Sequence, residues 1–219
     1  MVLFVAKIMG KHAQSVDALV LARIHMHEPG WVFTPGDFSD LGSRTAVATA
    51  LMRHKASGII RQLGRGLYDA PRTHAKLGML WPCLESVIEA VQNRDSVRLQ
   101  PTGAYAANLL GLSYQVPMRV LFLTDGPERE IQLGNLKITL KRTTPRNMAT
   151  AGRISGSVIH ALRWLGKNNV DERKVQHLRK VLDDKAKPQL LADVRYAPVW
   201  IADVMRQVAA TTEKSKVDD

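Results

Sequence analysis

The 219-residue chain is 45% hydrophobic and 23% charged, ordinary proportions for a globular protein with room for one large domain or two modest ones. Its formal charge of +11 favours polyanionic partners. Its single cysteine, Cys83, excludes an internal disulfide and a cysteine-rich metal site, suits a reducing compartment, and reads as a small buried hydrophobe. The apolar start MVLFVAKIMGKH is interrupted by Lys7 and lacks a small-residue cleavage site, so it is not read as a signal peptide, and no apolar run reaches spanning length. The expectation is a cytoplasmic protein that uses no membrane, metal or cofactor.

In SVDALVLARIHMHEPGW, Val16, Leu19, Val20, Arg23, Ile24 and His27 recur at helical spacing until Pro29-Gly30 stops the run. An extended piece at Trp31 to Phe33 follows, then a short second helix with Thr34 as cap and Pro35 in its first turn. Ser43 caps a third helix, RTAVATALMRHKAS. On it Ala46, Val47, Ala50, Leu51 and His54 share one face, and Arg44, Thr45, Ala48, Thr49, Met52 and Lys55 lie away from it. IIRQLGRGLYDAP then reads as a tight hairpin turning through Gly64 and Gly66, with Arg61, Gln62 and Arg65 making a basic tip.

Helix, short strand, helix, tight turn, helix and hairpin is the order of a winged helix-turn-helix, whose third helix meets the major groove by its N-terminal end. Arg44, Thr45 and Thr49 are therefore the candidates for base edges, and Ser43, Lys55, Arg61, Gln62 and Arg65 the candidates for phosphates. The polar, proline-started segment PRTHAKLG, Pro71 to Gly78, reads as a connector. It divides the chain into residues 1–76 and 77–219.

Beyond it the pattern is mixed α/β: a helix over LWPCLESVIEAVQ, a short strand SVRLQ, a helix TGAYAANLLGL ended by Gly111, and a buried strand MRVLFLT. REIQLGNLKITLKR reads as two strands turning at Gly134-Asn135. Helices are expected from Met148 to Leu165, Asp171 to Asp183, Gln189 to Val194 and Pro198 to Val208, and a frayed tail over about 209–219. The fold class is mixed α/β (α+β), helix-rich at its C-terminal end. From Ile131 to Val170 there is no acidic residue, but Lys137, Lys141, Arg142, Arg146, Arg153, Arg163 and Lys167 are present. This is a second cationic stretch.

Reactive constellations are sparse. His25 and His27 are two apart, a spacing that splays them to different faces of a helix. Asp125 follows a buried strand, where catalytic carboxylates often sit, but TDG is also turn chemistry. No Walker-type phosphate loop is present. The helix within PTGAYAANLLGLSYQVP carries small residues for close packing and hydrogen-bonding groups around it, as either a packed structural helix or a recognition surface would.

The ordered set GWVFTPGDFSDLGSRTAVATAL, RQLGRGLYDAP, PTGAYAANLLGLSYQVP and LFLTDG resembles the AbiEi family of antitoxins, encoded beside nucleotidyltransferase-like toxins in type IV toxin-antitoxin and abortive-infection systems. The similarity spans about Leu19 to Val208. It implies a winged-helix N-terminal domain that binds repeated sites in double-stranded DNA upstream of its own operon, and a C-terminal antitoxin domain that counters the cognate toxin. On that reading Lys137, Lys141, Arg142, Arg146 and Arg153 make an antitoxin surface, and the chain is not an enzyme. The alternatives are a winged-helix regulator with a ligand-sensing or dimerising C-terminal domain, or an enzyme acting near Asp125.

Overall fold

A computed structural model describes residues 15–210. The apolar start, Met1 to Gly10, and the expected tail beyond residue 210 lie outside the described residues. Among these there are nine α-helices and nine β-strands, a mixed α/β architecture. The chain divides into two units.

In the first unit, the Ser15 hydroxyl accepts the Ala18 N–H and starts α1, Val16–Met26. A two-residue strand β1, Val32–Phe33, leads into a 3₁₀ turn, Pro35–Phe38. There the Thr34 N–H donates to the Asp37 carboxylate at 2.6 Å. Ser43 in turn caps α2, Arg44–Ala56, by accepting the Ala46 N–H. Val20 and Ile24 from α1, Phe33, Phe38, and Val47, Ala50 and Leu51 from α2 close one buried cluster with Ile60.

The strands β2, Arg61–Gly64, and β3, Leu67–Asp69, form a hairpin, and β1 pairs antiparallel with β3. Gly64 faces Leu67 across a two-residue loop, Arg65-Gly66. Only Gly66 needs positive φ, +64°; at Gly64 an added Cβ would meet nothing within 4 Å, so only one of the two expected glycines carries the turn.

The expected connector folds. Arg72–His74 and Gly78–Leu80 pair antiparallel as a hairpin, β4 and β5, and α3, Leu84–Asp95, belongs to the same unit. The boundary therefore falls between Ser96 and Val97, with Ile131–Gly134 also grouped in the first unit, instead of between residues 76 and 77. Strand pairing gives PRTHAKLG internal hydrogen bonds that a linker would lack. Cys83 is exposed, not buried, with its sulfur 3.0 Å from the Ser86 hydroxyl.

The second unit holds a sheet in which β6, Leu99–Thr102, runs antiparallel to β7, Arg119–Thr124, and β7 parallel to β9, Leu136–Arg142. A further strand, β8, spans Arg129–Leu133. Helices α4, Gly103–Leu109, and α6, Ile154–Leu165, share a buried cluster with α7, Glu172–Val181, α8, Ala186–Asp193, and α9, Val199–Ala209. The single helix expected from Met148 to Leu165 is two: α5, Pro145–Met148, and α6. Gly152, at φ +78°, lies in the break, and α6 resumes at Ile154. At the other end Ala209 is still helical, so the expected tail begins at least one residue later.

Candidate nucleic-acid interface

The orientation of α2 follows from its apolar spacing. Val47, Ala50, Leu51 and His54 are buried, which turns Arg44, Thr45, Ala48, Met52 and Lys55 to the exposed side. His54 seats its Nε2 3.3 Å from the Asp17 carbonyl oxygen of α1. A forked ion pair also ties α1 to the turn before α2. Arg23 donates to both Asp40 oxygens at 2.6 Å and to the Asp37 carbonyl at 2.6 Å, and its hydrogen bonds hold the Asp40 carboxyl below the usual range.

Arg44 and Thr45 stand exposed in the first turn, where unpaired backbone N–H groups and the helix dipole favour an anion. The hydroxyl of Thr49 donates to the Thr45 carbonyl at 2.9 Å, leaving its methyl and its acceptor lone pair for an outside group. Ser43 Oγ, spent as a cap acceptor, retains its own proton to donate. Arg44 also lines a cleft of about 910 Å³ with Trp31, Asp37, Glu89, Asn93 and Arg94 among others.

Next to α2 the hairpin presents Arg65 outward. Its loop is fixed from α3: Arg94 Nη1 donates to the Arg65 carbonyl at 2.9 Å, while the rest of that guanidinium grips Asp95. Lys55 Nζ donates to Gln62 Oε1 at 2.6 Å, joining the last turn of α2 to β2. Gln62 Nε2 donates to the Gly64 carbonyl at 3.2 Å, so this side chain braces the surface.

Arg61 departs from expectation. Its guanidinium forks onto Asp69, Nε to Oδ1 at 3.1 Å and Nη2 to Oδ2 at 2.6 Å, and Nη2 also donates to the Leu80 carbonyl at 2.9 Å. The same group lies 3.8 Å from the centroid of the Trp81 ring. Asp69 is fully buried. Burial pushes its carboxyl above the ordinary value, and the hydrogen bonds and charge of Arg61 oppose that rise. Arg61 is thus committed inside the fold and is no phosphate contact. Strand alternation could have signalled it, since Arg61 and Asp69 are cross-strand partners.

The basic stretch of the second unit is also partly spent. Lys137 pairs with Glu130 at 2.7 Å. Arg153 pairs at 2.8 Å with Asp193, a carboxylate that also accepts the Ser155 hydroxyl and is 1% exposed. These two charges are neutralised within the unit, whereas Lys141, Arg142 and Arg146 stand exposed around the segment joining β9 to α5.

Asp125 accepts the Arg98 backbone N–H at 2.9 Å and its Nε at 2.8 Å. Partial burial would raise this carboxyl, but those bonds and the charge of Arg98 hold it below the ordinary value. A carboxylate held ionised by a neighbouring guanidinium is a weak proton acceptor. Among the described residues no group of three His, Cys, Asp or Glu could hold a metal ion. No helix among them is long and apolar enough to cross a membrane.

A family of unknown function, DUF6088, matches residues 19–190, and the chain belongs to it. No curated protein matches the chain. No solved structure matches it either.

Proposed function

We propose that this DUF6088 chain is a DNA-binding antitoxin that represses its own operon and counteracts a nucleotidyltransferase-like toxin. In this reading α1, the 3₁₀ turn, α2 and the β2–β3 hairpin act as a winged helix-turn-helix, with α2 in the major groove and the hairpin as wing. One observation carries the DNA-binding half. The exposed first turn of α2 offers Arg44 and Thr45, and the last turn of the same helix and the hairpin loop add Lys55 and Arg65 on exposed positions. Arg44 is suited to a bidentate contact with guanine, while Thr45 and Thr49 are suited to base edges or a thymine methyl. Lys55 and Arg65 supply sequence-independent contacts to phosphate.

The antitoxin half is supported by the four ordered motifs that resemble AbiEi antitoxins and by the cationic positions Lys141, Arg142 and Arg146, which remain exposed after internal pairing. Its partner is the cognate toxin, met directly or through a shared nucleic-acid substrate. The test is expression of the full chain beside the adjacent nucleotidyltransferase gene, with a reporter on the upstream DNA. Restored growth and a silenced reporter are expected. A repressed reporter with no rescue would leave a plain transcription regulator.

A further inference from the structure

We propose that the β4–β5 hairpin, Arg72 to Leu80, is a second DNA-contacting arm beside the β2–β3 wing. This inference rests on the DNA-binding reading above and extends it to a surface which that reading does not use.

Every residue from Arg72 to Met79 is exposed, so the arm contributes little to the core. A two-stranded hairpin with no buried face is marginal in water by itself. What holds this one is its base. Arg72 pairs with Leu80 in the strand register, and the Leu80 carbonyl accepts from Arg61, whose guanidinium is stacked on Trp81 and locked onto buried Asp69. The arm therefore projects from a fixed anchor.

Beside the exposed Leu77 and Met79, its charge is one-sided. No acidic residue occurs between Asp69 and Glu85, while Arg72 and His74 alternate along β4 and Lys76 occupies the turn. His74 Nδ1 lies 3.2 Å from the Lys76 N–H and 3.3 Å from the Leu77 N–H. Nδ1 is thus the acceptor, and the ring proton is carried on Nε2, facing away from the turn. Arg72, His74 and Lys76 then present donors only.

The arm also shares a surface with the proposed wing. Met79 lines an open groove of about 610 Å³ together with Lys55, Gln62 and Arg65, and no acidic side chain lines it. A concave surface that carries Lys55, Gln62 and Arg65 and no carboxylate, flanked by a two-stranded ribbon, fits a duplex, because a groove of B-form DNA admits such a ribbon and the phosphates that border it are acceptors only. The charge, the exposure and the shared groove favour DNA over a protein partner for this arm.

The experiment compares the full chain with Arg72→Ala/Lys76→Ala, and with Arg72→Glu/Lys76→Glu, on the upstream duplex. It measures hydroxyl-radical footprints and affinity against salt concentration, with circular dichroism to verify folding. His74 is kept because it closes the turn. In the alanine variant the slope of log affinity against log salt should fall by about 0.9 for each lost phosphate contact. Protection should vanish at one flank of the footprint, and preference for the operator over random duplex should persist. The glutamate variant should bind all duplexes more weakly still. A wild-type footprint and slope in both variants would overturn the proposal and give the arm to a protein partner. Wild-type protein that fails to bind any duplex would overturn the DNA-binding reading itself. Loss of preference on changing Arg44, Thr45 and Thr49, with the arm variants unaffected, would retain that reading and remove only the arm.

Discussion

The Arg61 guanidinium forks onto the fully buried carboxylate of Asp69 at 2.6 and 3.1 Å, and by donating also to the Leu80 carbonyl at 2.9 Å it ties the β2–β3 hairpin to the β4–β5 hairpin. Removing one member of a buried pair costs more than the pair itself contributes, because the other charge is left without a partner. Arg61→Ala should therefore destabilise the protein by about 3 to 5 kcal/mol at neutral pH. The loss should shrink on acidification. Burial already raises the Asp69 carboxyl. Without Arg61 it rises further, so the penalty is felt above the unfolded value and disappears once both states are protonated. Urea unfolding at pH 7 and pH 4 checks this, and Asp69→Asn added to Arg61→Ala should recover part of the loss at pH 7.

Lys55 and Arg65 are the exposed cations flanking β2. Replacing both by alanine should weaken binding to operator and random DNA alike, with the salt slope falling by about 0.9 per contact. Anisotropy titrations at several salt concentrations give the slope. A change in preference without a change in slope would mean that these residues read bases.

His160 is buried against Thr102, its Nδ1 3.1 Å from the threonine hydroxyl. Burial, with the nearby Arg163 charge, pushes its pKa down to about 4. Its neutral form is the folded form, so its contribution is whole above about 6.5, the unfolded value, and is lost as pH falls from there towards 4. The full loss is about 3 kcal/mol. Denaturation midpoints at pH 7 and 4.5 should differ accordingly, and His160→Gln should flatten that dependence.

Gly156 lies in the first turn of α6, against the Gln100 side chain. An added Cβ would sit 2.6 Å from the Thr150 carbonyl oxygen and closer still to Gln100 Oε1. Gly156→Ala should cost about 1 to 3 kcal/mol by overpacking, despite alanine's better helix propensity. Thermal unfolding measures it, and unchanged stability would mean that the Gln100 side chain and the Thr150 backbone both shift without cost.

Much of the fold was legible because its signals are local. Ser43 caps a helix where a hydroxyl precedes an apolar period, and Gly134-Asn135 turns two strands as expected. The apolar face of α2 was readable from the spacing of Val47, Ala50, Leu51 and His54. The rest depended on distance in the sequence. The hairpin register could have announced Asp69 to Arg61, but nothing near Arg61 announces Leu80 and Trp81, and nothing near Arg153 announces Asp193, so two cations assigned to surfaces turn out to be internal braces. The segment Pro71 to Gly78 misled for a different reason. Its composition is that of a loop, and the strands it forms are held from outside, by Arg61. Its period-two alternation of Arg72, His74 and Lys76 was the available clue.

The measurement that bears most directly on the central claim is the ratio of affinities for the upstream operator and a random duplex, taken for the wild-type chain and for Arg44→Ala/Thr45→Ala/Thr49→Ala. Each good base contact is worth about 1 to 3 kcal/mol of discrimination. The triple variant should therefore bind both duplexes with nearly equal affinity while its unfolding midpoint stays close to wild type. A folded triple variant that keeps the wild-type ratio would contradict the assignment of α2 as the element that reads sequence.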